Sequence, residues 1–162
     1  MKKILLLLLF SISFAFSQES INYQTPSSEI LELVEYDRPP SVTYDRDKNF
    51  MLFLYRDNYK SIEDLSQKEL RLAGLRINPN KNIGSRITYY NNVKIKNLKS
   101  KNPEINDIIG IPNNPLIANI NWSPNQKNIA FTNTSSDGVR LWVLNLESRS
   151  LTKLSDLKLN SN

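Results

Sequence analysis

The feature that most constrains this chain is the stretch beginning at Asn119, "NINWSPNQKNIAFTNTSSDG", read together with the residues after it. Alternating apolar residues run to Trp122, break at Ser123-Pro124 and resume at Ile129. The pattern predicts strands over residues 117–122 and 128–133. Asp137-Gly138 predicts a hairpin turn into a third strand at 139–146. Residues 147–149 read as a turn and 150–154 as a fourth strand. Such a sheet carries apolar residues on both faces and needs a neighbour on each to keep them from water. Trp122 and Trp142 fit that need, since each buries on the order of 150–250 Å² in a packed site. Core packing accounts for both better than ligand stacking does.

The preceding half repeats the unit. "VTYDRDKNFMLF" aligns with "INWSPNQKNIAF" when one residue is gapped in the turn, matching Tyr44 with Trp122, Lys48 with Lys127 and Phe50 with Ile129. "LAGLRINP" then aligns with "LWVLNLES", matching Leu72 with Leu141, Leu75 with Leu144 and Ile77 with Leu146. Residues 86–88 pair with 150–152 as fourth strands. Residues 50–56 are nearly all apolar, which predicts a strand buried on both faces. A four-stranded unit that recurs is the pattern of a β-propeller blade. Two blades do not close a propeller, which takes roughly four or more.

Around these strands the signals are shorter. Ser28 caps a predicted helix over 29–34, before "RPPS" breaks the chain. Ser61 and Asp64 give a weak capping box for a second helix within "SIEDLSQKEL". Residues 70–77 read as one strand, and "SRITYYNNVKIKNL" adds one or two more around Val93, Ile95 and Leu98. The connection at 99–116 holds three apolar anchors, Ile108, Ile109 and Ile111, which predict a packed loop.

Composition excludes several chemistries. The chain has no Cys and no His. A thiolate nucleophile, a Cys- or His-ligated metal and a Ser-His-Asp triad are all beyond it. The carboxylates Glu63, Asp64 and Glu69 read as solvated residues of a surface helix. Ser135, Ser136 and Asp137 fall in a hairpin turn without a base. The expected site list is therefore empty: no catalytic, cofactor-binding or metal-ligating residue, and no cofactor.

At the N-terminus, Lys2 and Lys3 precede an apolar run over 4–14, too short to span a bilayer. Ala15-Phe16-Ser17 fits a cleavage site, placing the cut between Ser17 and Gln18. This predicts export to the periplasm or beyond, with no stable membrane anchor. Removing Lys2 and Lys3 takes the formal charge from +5 to +3. The densest basic group, Lys94, Lys96, Lys99 and Lys101, reads as a solvated face, so no nucleic-acid partner is expected.

"WSPNQKNIAFTNTSSDGVRLWVLNLES" is similar to the W-S-P-D-G-K-x-I-A-F repeat of bacterial propellers. Taken in order, "YQTPSSEILELVE", "PPSVTYDRDKNFMLFL", "SIEDLSQKELRLAGLRINP" and "IIGIPNNPLIANINWSP" resemble the start of secreted prolyl oligopeptidase family serine peptidases, in the branch related to glutamyl and acylaminoacyl peptidases. The likeness covers residues 23–154. "SPNQK" departs from the usual Asp-Gly turn. The resemblance implies that the catalytic G-x-S-x-G serine, Asp and His reside in a C-terminal α/β-hydrolase domain, which this chain does not contain. No catalytic residue carries over.

The expectation is an all-β, incomplete propeller of about two four-stranded antiparallel blades, with one or two short helices after a signal peptide. Its parts are a signal peptide (1–17), a lead-in with a short helix (18–40), a first blade with a helical insertion (41–98), a connecting loop (99–116), a second blade (117–155) and a tail (156–162). The resemblance implies a non-catalytic fragment whose propeller gates peptide access to the hydrolase domain. Its implied partners are the missing blades and that domain, with peptides as substrates of the intact protein. A small exported propeller-like binding module with no peptidase partner is the alternative.

Overall fold

The computed structural model describes residues 24–161, so the expected signal sequence and the expected cut between Ser17 and Gln18 lie outside the described residues. These residues fall into two compact units, 24–36 and 37–161. The first holds helix α1 (Ser28–Val34), which buries none of its residues. Its N-cap is Ser27 rather than the expected Ser28, and no side-chain cap bond is made. No helix among the described residues is long and apolar enough to cross a membrane.

The second unit is mostly β, in three antiparallel sheets. Strands β1 (Ser41–Tyr44), β2 (Phe50–Tyr55), β6 (Asn92–Asn97) and β7 (Ile105–Asp107) form one four-stranded sheet in that order. Another four-stranded sheet consists of β8 (Ile117–Trp122), β9 (Asn128–Ser135), β10 (Gly138–Asn145) and β11 (Leu151–Lys153). Both are meanders, each strand beside the last, except that β2 and β6 are separated by an insertion. Within that insertion lie α2 (Ile62–Ser66) and a small sheet of β3 (Leu70–Leu72), β4 (Leu75–Asn78) and β5 (Ile83–Gly84).

The structure corrects the expected first copy. Residues 70–77 are not one strand. They fold back as a hairpin pairing Leu70 with Ile77 and Leu72 with Leu75. Ala73 (φ 45°) and Gly74 (φ 90°) both take the left-handed conformation that such a two-residue turn requires. The third strand of the first sheet is β6, and the fourth is β7, inside what reads in sequence as a connecting loop. Strand β2 buries one face only: Leu52 and Leu54 are sealed, while Phe50, Met51, Phe53 and Tyr55 are half-buried. In the second sheet the hairpin turn is Ser136-Asp137, since Gly138 already pairs with Ser135. Of the three isoleucine anchors, Ile108 is buried and Ile111 packs on the core. Ile109 is exposed, and its backbone bonds to the edge of β11.

The two large sheets are equivalent residue by residue, without the gap that the sequence alignment introduces. Asp45 accepts from Lys48 N–H as Ser123 accepts from Gln126 N–H. Asp45 N–H donates to Phe50 O as Ser123 N–H donates to Asn128 O. Lys48 (φ 53°) and Gln126 (φ 58°) therefore occupy the same left-handed position, the one at which the resembled repeat has Gly. Asn97 and Asn145 match likewise: each side chain accepts a backbone N–H two residues on. Leu98 N–H bonds to Asn49 O as Leu146 N–H bonds to Lys127 O.

This register decides how the sheets pack. The first contributes Leu52, Leu54, Val93 and Ile95 to the shared core; the second contributes Ile129, Phe131, Leu144 and Leu146. Leu52 is equivalent to Ala130, not to Ile129, because Tyr44 pairs with Met51 as Trp122 pairs with Ile129. The sheets thus meet through opposite faces, front on back. Trp122 and Trp142 pack against this core from the second sheet.

Two stability measurements test this packing. In urea unfolding, Phe131→Ala costs about 3–5 kcal/mol, whereas Phe53→Ala at the equivalent but half-buried position costs clearly less; equal losses would contradict front-to-back packing. Lys48→Gly raises stability by up to about 1 kcal/mol by relieving a left-handed residue that carries a Cβ, read as a higher urea midpoint.

Candidate functional site

The insertion builds the site. Ser61 begins α2: its hydroxyl accepts the Asp64 N–H at 3.1 Å and donates to the Asp64 carboxylate at 2.8 Å. Asn78, almost fully buried at the end of β4, ties the far end of this helix down, since its amide donates to Gln67 Oε1 at 2.6 Å. Its own oxygen accepts from the N–H groups of Asn80 and Lys81 and so shapes the turn after β4. Between helix, hairpin and the strand preceding them opens a cleft of about 760 Å³.

Its lining is cationic. Arg38, Arg56, Lys60, Arg71, Arg76, Lys81 and Arg86 face Asp57, Asp64 and Glu69. Glu69 is committed: it binds Arg71 at 3.0 Å and Arg76 at 2.7 Å, and accepts the Ser85 hydroxyl. That hydroxyl above all, with both guanidinium groups, pulls its carboxyl down to about 2. Asp57 accepts from Asn91. Among the described residues, Arg38, Arg56, Lys60, Lys81 and Arg86 form no ion pair. The Arg56 Nε is buried without a hydrogen-bond partner. Tyr59, Leu65, Ile87, Tyr89 and Leu116 supply apolar wall. A recess with surplus guanidinium and ammonium groups and low-dielectric walls concentrates field and attracts anions. Arginine suits it to carboxylate or phosphate, which the planar fork meets with two bonds.

The residues singled out in sequence behave differently. Asp64 and Glu69 do line the cleft, but Glu69 is held by cations rather than solvated on a helix, and Glu63 is not in the lining. Ser135 donates to Asp137, and Arg140 clamps the same carboxylate with two bonds of 2.9 and 2.7 Å. Arg140, then Ser135, hold Asp137 well below the usual carboxylate range, so it is a poor base and the trio serves as a turn. Lys94 pairs with Asp107 on the first sheet, away from the cleft. No group of three or more metal-ligating carboxylates occurs among the described residues. Sequence reasoning missed the cleft because its walls come from scattered positions. A signal existed: residues 56–91 carry seven Lys or Arg against four Asp or Glu.

Acid tests the Glu69 network. Its contribution to stability is complete above the ordinary carboxyl value of 4.5 and is lost as pH falls through about 2. Glu69→Gln should remove this part of the acid dependence of the urea midpoint. The cleft itself predicts that a Glu-rich peptide binds, that added salt weakens it, and that Lys81→Gln with Arg86→Gln weakens it by about tenfold, measured by fluorescence anisotropy.

No protein-family model matches the chain. No solved structure matches it either. Two curated relatives do. One, described as a probable chloroplastic glutamyl endopeptidase of Oryza sativa subsp. japonica, is 29% identical over 157 residues. Another of the same description, from Arabidopsis thaliana, is 31% identical over 150 residues. The matches take in 90% and 86% of this chain, but the chain spans only 17% and 16% of the relatives' lengths.

Proposed function

We propose that this chain is part of the N-terminal propeller of an exported serine peptidase, and that it is itself non-catalytic. The similarity carries this reading: a match over most of the chain to proteins described as probable glutamyl endopeptidases. The fold supports it physically. Two equivalent four-stranded meanders stacked front on back are what adjoining propeller blades require. The absence of His and the turn role of Ser135 argue that acyl transfer, if it occurs, uses groups outside this chain. In the intact peptidase the blades would gate peptide access, and the cationic cleft would draw in carboxylate-bearing chains. Export rests on the Lys2-Lys3 start and the apolar run after it.

A second reading, an exported binding module without a peptidase partner, is favoured by the cleft alone.

Two measurements separate them. The purified chain should take up no serine-directed fluorophosphonate and cleave no glutamyl peptide above background. The DNA downstream of the Asn162 codon should encode, in some frame, a hydrolase segment with G-x-S-x-G and a later His. Labelling of a serine here would refute the non-catalytic assignment, and finding no such coding segment would favour the binding module.

A further inference from the structure

Front-to-back packing leaves one face of each large sheet without a second sheet over it. On the first sheet that face carries Val42, Tyr44, Met51, Phe53 and Ile105, because Val42 pairs with Phe53, Tyr44 with Met51, and Ile105 with Lys96 opposite Met51. Val42, Tyr44 and Ile105 are 43%, 48% and 48% exposed. On the second sheet the uncovered face carries Ala130, Leu141, Val143, Thr152 and Leu154, the last bonded to Leu141 O through its N–H. Leu154 is 61% exposed. One end of this face is closed: Val139, Thr134 and Thr132 are buried there, and the tail bonds to Val139 O through Leu159 N–H. The open end is the one that holds Val143, Thr152 and Leu154.

These faces are not arbitrary apolar surface. Met51 and Phe53 are equivalent to Ile129 and Phe131, which the second sheet presses onto the first. Leu141 and Val143 are equivalent to Val93 and Ile95, which receive them. The uncovered pair therefore offers the same two halves of an interface that already exists within the molecule. Lys94 and Lys96 stand where the second sheet has Trp142 and Leu144. Their stems can lie along the apolar surface while the ammonium groups reach water, which weakens the contact without blocking it.

We infer that a second copy of this chain docks on these faces head to tail, the Met51–Phe53 face of one copy taking the Leu141–Val143 face of the next. Such a contact is heterologous, so it continues until it closes. With two sheets per copy and closure at four to eight, a ring holds about two to four copies. The inference rests on the equivalence of the sheets and not on the peptidase reading, so each can fail without the other.

The test uses the full chain, produced through export in a bacterial host, with light scattering after size exclusion across a range of concentrations. One variant blocks the first face with short carboxylates, which lack the stem that lets Lys94 and Lys96 reach water (Tyr44→Asp with Ile105→Asp). The other blocks the second (Thr152→Lys with Leu154→Lys). All four positions are exposed, and an unchanged urea midpoint verifies folding. The wild-type chain should associate as concentration rises. Each variant alone should be monomeric, and an equimolar mixture should double in mass and stop there, because one good interface remains between the two. If the wild type precipitates instead, the variants should be soluble alone and still pair on mixing. A wild type that stays monomeric throughout, a variant that associates by itself, or a mixture that stays monomeric would overturn the inference.

Discussion

Everything in the larger unit depends on one contact: Leu52, Leu54, Val93 and Ile95 of one sheet closing on Ile129, Phe131 and Leu144 of the other. Neither sheet is independent without it, because a single antiparallel layer with an apolar face has no other way to exclude water. The contact also has a direction. Equivalent strands present odd-numbered side chains in one sheet and even-numbered ones in the other to the same core, so the arrangement is a stack and not a mirror-related sandwich. That direction is why both ends of the stack remain partly apolar.

The insertion between β2 and β6 is released from this demand. It is attached at two strands that the stack already holds, and so it can carry polar groups that the core excludes. Short elements, caps and charge pairs shape it: Ser61 with Asp64, Asn78 with Gln67, and Glu69 with Arg71, Arg76 and Ser85. Its cationic cleft arises because Glu69 neutralises only part of the surrounding charge. A packed scaffold that carries polar groups on its connecting segments is a common division of labour, since loops tolerate change that packed strands do not.

Legibility in the sequence followed strand adjacency. The second sheet reads almost directly, because its four strands are consecutive and its turns short. The first does not. "LRLAGLRIN" alternates as well as a true third strand, whereas β6, "NVKIKN", alternates with lysines and looks weaker. Local pattern cannot say which segment pairs with β2; that is decided by whether Val93 and Ile95 can join Leu52 and Leu54 on the sealed face. The gapped alignment failed for a related reason. Matching Lys48 to Lys127 follows side-chain identity, whereas the backbone matches Lys48 to Gln126 through their shared left-handed conformation. The cleft was legible only as an excess of Lys and Arg in the insertion.

By itself the sequence determined the class of the fold and the limits of its chemistry. Period-2 alternation, short turns and the recurrence of one strand–turn–strand unit demand stacked antiparallel sheets, and the lack of His and Cys excludes imidazole, thiolate and Cys- or His-ligated metal chemistry from these residues. Tertiary structure alone decided which face of each sheet is buried, that Leu70–Leu72 and Leu75–Asn78 form a separate hairpin, and that distant cations share one cleft. The physical reason is that alternation states only that two faces differ. Which of them faces the core depends on a neighbour whose register no local stretch of sequence records.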